Sequence, residues 1–148
     1  MSANVYWCES DVSSIAYLQR SIEMRGCTIT NYQFESDLLR SIEHIRSNPG
    51  PIVLGLTLND LEPVSILPST KIFREIRTSI GPVCPILVFT ARLTLALEQE
   101  LIEEYNLTKK NIFMKPLVSR RAEFVNRVVD ISVQLQSSSW QHRDSEVY

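Results

Sequence analysis

Two kinds of segment alternate along the chain. Short runs that are apolar nearly throughout, at residues 4–8, 52–58, 85–90 and 111–114, carry branched and aromatic side chains and predict strands buried on both faces. Residues 27–32 alternate and are rich in threonine and isoleucine, which predicts a further strand. Between them lie segments with a single apolar stripe at helical spacing. The stripes are Ile15, Leu18 and Ile22 in a helix ending near Arg25; Leu38, Leu39, Ile42 and Ile45 in one opened by Ser36 or Asp37; and Ile72, Phe73 and Ile76 in one capped by Thr70. Leu93, Leu97 and Leu101 mark a fourth helix within 93–105, and Phe124, Val128, Ile131 and Leu135 a last one over about 120–135. Gly26 stands where a left-handed cap closes the first helix, and Ser10 or Asp11 is placed to cap its start.

Strand followed by helix, five times over, predicts an α/β domain: a doubly wound parallel sheet with helices on both faces. The domain takes in residues 1–136, and the polar, Ser-rich segment 137–148 is expected to be a disordered tail. In such folds the functional crevice lies beyond the carboxyl ends of the strands. The residues there are Glu9-Ser10-Asp11, the neighbourhood of Gly55, Thr90-Ala91 and Lys115-Pro116. Gly55 is out of character: glycine weakens a strand interior and often marks a close approach to the backbone.

Composition narrows the function. A formal charge of −2 over 148 residues argues against nucleic-acid binding, and no apolar run is long enough to span a bilayer. The first residues lack the pattern of a signal peptide, and Cys8, Cys27 and Cys84 form no motif. Reduced, half-buried thiols in a cytoplasmic protein are the expectation, so Asn106-Leu-Thr carries little weight as a glycosylation acceptor. His44 and His142 have no partner at ligand spacing, and no nucleophile has a base beside it, so no zinc site or enzyme is visible. Trp140 in the tail is of the type that anchors a partner.

The strand-end residues together resemble the receiver domain of bacterial two-component response regulators, CheY-like and flavodoxin-like in fold. The acidic cluster at Glu9, Gly26 after the first helix, Gly55-Leu-Thr-Leu-Asn-Asp60 after the third apolar run, Thr90-Ala91 and Lys115-Pro116 follow the family's order over residues 4–135. The resemblance implies five parallel strands in the order 2-1-3-4-5. It also implies a site in which an aspartate takes a phosphoryl group from a histidine kinase, with Mg²⁺ on the first-strand carboxylates and lysine and threonine contacting the phosphate.

Against that pattern Gly55 takes the acceptor's place and has no side chain to phosphorylate, with Asp60 as the acceptor under a shifted register. Glu9 matches the first acidic position, Ser10 the second, and Asp11 is acidic one step later. Thr90 and Lys115 are kept, and Ile112 stands where many receivers have a switching aromatic. Glu9 and Asp11 alone make a poor Mg²⁺ site.

The resemblance thus implies a pseudo-receiver, non-enzymatic and without cofactor. It would work by protein–protein contact through the fourth helix, fifth strand and fifth helix, with homodimerisation through that face plausible and no output domain following. Two alternatives stay open: a phosphorylatable single-domain regulator using Asp60 or Asp11, and a small flavodoxin-like ligand-binding module.

Overall fold

The computed structural model describes residues 3–11, 13, 15–56, 71–90, 94–114 and 120–137. Five strands, β1 (Ala3–Cys8), β2 (Cys27–Tyr32), β3 (Ile52–Leu56), β4 (Ile86–Thr90) and β5 (Ile112–Met114), form one parallel sheet in the order β2-β1-β3-β4-β5. The helices are α1 (Ala16–Glu23), α2 (Glu35–Arg40), α3 (Ile42–Ser47), α4 (Lys71–Ser79), α5 (Leu95–Glu103) and α6 (Arg121–Ser137).

Successive side chains of a strand point to opposite faces, and the core divides accordingly. Val5, Trp7, Val53, Leu87, Phe89 and Phe113 face α1 and α6, where Phe124 packs against the rings of Trp7, Phe89 and Phe113. Tyr6, Cys8, Ile52, Leu54, Ile86 and Val88 face the other layer, which includes Leu38, Ile45, Ile72, Phe73, Ile76, Leu97 and Leu101. Burial on both faces is why these strands read as unbroken apolar runs.

Several local expectations are corrected. The second helix is two short ones, broken at Ser41, whose N–H turns back to the Leu38 carbonyl at 2.9 Å in a tight 3₁₀-like turn. Leu38 before the break and Ile45 after it are both buried in the core. Its start is Phe34 in extended backbone, not Ser36 or Asp37. Helix α1 begins after Ile15, which offers no side-chain cap, and Asp11 instead accepts from the Ser13 hydroxyl at 2.8 Å. Gly26 has φ +92°, as a left-handed helix end requires. Thr94 caps α5 by accepting from the Leu97 N–H at 3.1 Å. The three cysteines are free and buried rather than half-buried. Helix α6 runs to Ser137, the first residue of the expected tail, and Thr70, Leu93 and residues 138–148, with His142 and Trp140, lie outside the described residues.

Arg77 in α4 fastens the amino-terminal end of β4. Its Nε donates to the Tyr105 carbonyl at 2.6 Å, and its Nη1 to the carbonyls of Gly81 (3.2 Å) and Cys84 (2.6 Å). Its Nη2 reaches the Asn106 carbonyl at 3.4 Å. Burial lowers its pKa, so the charge is held in place by carbonyl dipoles. Arg77→Met is expected to lower unfolding free energy by about 2–4 kcal/mol in urea denaturation, because several charge-assisted bonds to loop carbonyls go at once.

Burial pushes the Cys8 thiol up to about 12, helped by Glu35, Glu9 and Asp37, and pushes Cys84 and Tyr6 up to about 12 as well. The folded pKa values lie above the unfolded ones. The stability contributed by these three groups is therefore complete below about pH 9 and lost as pH rises toward about 12. Thermal melts should hold steady at neutral pH and fall progressively above about pH 9, with a shallower fall in Cys8→Ala.

Candidate functional site

The carboxyl ends of β1, β3 and β4 meet at the middle of the sheet. Residues Tyr6 and Cys8 pair with Ile52 and Leu54 in parallel register, and one further step sets Glu9 beside Gly55. Gly55 pairs with Phe89 across to β4, and Leu56 with Thr90. Glu9 continues the sheet outward by donating its N–H to the Tyr32 carbonyl at 3.0 Å.

The Glu9 side chain is only 2% exposed, and its carboxyl group lies over the Gly55 backbone. A Cβ at position 55 would stand 2.4 Å from Glu9 Cδ and 2.5 Å from each carboxylate oxygen. Nonbonded carbon and oxygen atoms do not approach that closely. The space belonging to any side chain at 55 is therefore occupied by the end of Glu9. This is the close approach that a glycine inside a buried strand signals.

Thr90 is fully buried at the end of β4, in register with Met114. Ile112 is buried on the α5 side of β5, whereas its neighbour Phe113 points the other way, edge-on to Phe124 and beneath the Arg120 guanidinium (4.6 Å). Ser10 and Asp11 are exposed. Asp60, Ala91, Lys115 and Pro116 lie outside the described residues.

Mg²⁺ keeps several waters and needs near-ideal octahedral geometry. Among the described residues no group of three or more His, Cys, Asp or Glu side chains could hold a metal ion. Glu9, packed on Gly55 and shut from solvent, does not fit such a site. His44 is exposed on α3, edge-on to Tyr6 at 6.0 Å and near the Asn48 amide.

The sheet order agrees with solved structures of receiver domains. The signal receiver domain of a modulated diguanylate cyclase from Desulfovibrio desulfuricans G20 superposes with a TM-score of 0.65 at 14% identity, covering 93% of this chain and 98% of that one. The chain has the receiver fold. A CheY-like response regulator receiver domain protein from Methanospirillum hungatei JF-1 gives 0.64 at 9% identity over 93% and 98% of the two chains. The receiver domain of a putative Luxo repressor protein from Vibrio parahaemolyticus gives 0.61 at 20% over 86% and 93%. Sequence searches find no matching family model and no matching curated protein. Among the described residues no helix is long and apolar enough to cross a membrane.

The contact between Glu9 and Gly55 predicts a coupled pair. Gly55→Ala should destabilise by about 1–2 kcal/mol, since the added methyl must push the carboxylate aside. In a Glu9→Ala background the same change should be neutral or stabilising, as alanine is better than glycine in a strand. Chemical denaturation of the four proteins measures the coupling. An equal cost of Gly55→Ala in both backgrounds would contradict the contact.

Proposed function

We propose that the chain is a pseudo-receiver: a non-enzymatic signalling module with the receiver fold that acts by protein–protein contact, without phosphorylation and without Mg²⁺. The observation that carries this reading is the Glu9 carboxyl group in the space of a side chain at 55. Phosphoryl transfer to a carboxylate needs an accessible oxygen, a cation to neutralise the phosphoryl group, and room for the transferred group. Glycine at 55 provides no side-chain oxygen, and the carboxyl group of Glu9, a residue only 2% exposed, fills the room.

The interaction surface in this reading is the face of α5, β5 and α6, equivalent to the fourth helix, fifth strand and fifth helix once α2 and α3 count as one. Exposed Leu95 at the start of α5 and Met114 at the end of β5 support it. A protein partner, or a second copy of the chain, would cover them. Three free, buried cysteines suit a cytoplasmic setting.

Amide NMR with millimolar Mg²⁺ and then beryllofluoride, an acyl-phosphate mimic, tests the reading. No saturable shifts are expected at Phe89, Thr90 or Gly55. Saturable shifts there that vanish in Asp60→Asn would instead identify a phosphorylatable regulator with Asp60 as acceptor.

A further inference from the structure

A cavity of about 590 Å³ opens at the opposite end of the sheet from Glu9 and Gly55, beside the amino-terminal ends of β4 and β5. Its size falls within the range of small-molecule sites, about 300–1,000 Å³. The apolar wall is made by Val83 and Pro85 before β4, Leu107 before β5, and Ile131 and Leu135 on α6.

Its charge is one-sided. Arg77 and Arg127 both line it, and among the described residues no aspartate or glutamate does. In a chain with a formal charge of −2 this is a local reversal of sign. Arg77 is largely committed to loop carbonyls. Arg127 is not: its Nε donates to the neutral Asn111 Oδ1 at 2.8 Å, and among the described residues no carboxylate pairs with it. A guanidinium has five N–H donors, and its planar fork matches a carboxylate or phosphate. A partly enclosed cation in a low-dielectric wall attracts an anion more strongly than one in open water.

We propose that this cavity binds a small organic anion, an apolar body bearing one carboxylate or phosphate group, with Arg127 as the charge partner. The apolar body lies against Val83, Leu107, Ile131 and Leu135, which line the same cavity as Arg127. The site is independent of the reading of Gly55. Occupying it ties α6 to the loops before β4 and β5, and so gives the fold a point of control away from the strand carboxyl ends.

Amide NMR titrations of the full chain with 2-naphthoate, 2-naphthyl phosphate and neutral 2-naphthol test it. At least one anion should give saturable shifts at Leu107, Asn111 and Ile131, about tenfold tighter than the neutral probe. Which anion is tighter separates a carboxylate from a phosphate ligand. Arg127→Gln should weaken that binding about tenfold, and Arg127→Lys should weaken it less. If Arg127→Gln fails to fold, Val83→Glu at the exposed rim should weaken the anion by repulsion and leave the neutral probe unaffected. Failure of both anions to saturate, shifts confined to other surfaces, equal affinity for the neutral probe, or anion binding untouched by these substitutions would each overturn the proposal.

Discussion

A carboxylate resting on a glycine backbone governs the site end of this molecule. Glu9 and Gly55 come from neighbouring parallel strands, and their side-chain positions point to the same face. Only one of them can use the volume above the sheet there, and Glu9 uses it. Glycine at 55 is thus a condition for burying the Glu9 side chain where it lies. The opposite choice, a side chain at 55, would force Glu9 outward. Which of the two residues holds the space determines what chemistry the strand ends can support.

The surrounding structure is built to hold that arrangement. Phe89, paired with Gly55 on β4, and Trp7, two residues before Glu9, belong to the aromatic cluster around Phe124. These rings wall the layer beneath the site with rigid apolar surface. At the other end Arg77 ties the loops before β4 and around Tyr105 to α4. The sheet is therefore fixed at both ends by different means, one by ring packing and the other by charge-assisted hydrogen bonds to carbonyls.

Much of the fold was legible because its signals are local. Four apolar runs and one alternating segment gave the five strands, and Gly26 marked the end of α1 through the backbone conformation it adopts. Gly55 stood out as a glycine inside a buried strand. What fills its space was not legible, since the expected order of strands sets β1 beside β3 but does not say where the Glu9 side chain packs. The same reason hid the role of Arg77, whose partners span residues 81–106. The break at Ser41 was missed because Leu38, Leu39, Ile42 and Ile45 fit one continuous helical stripe as well as two short helices. Ile15 at the start of α1 was missed because capping propensity favoured the polar residues before it, whereas core burial decided the helix start.

The central claim is that no acyl phosphate forms at these strand ends. Intact-protein mass spectrometry after incubation with acetyl phosphate and Mg²⁺ tests it most directly. The account predicts an unchanged mass in the wild-type chain. A gain of one phosphoryl group that is lost under mild alkali, as an acyl phosphate is, would contradict it.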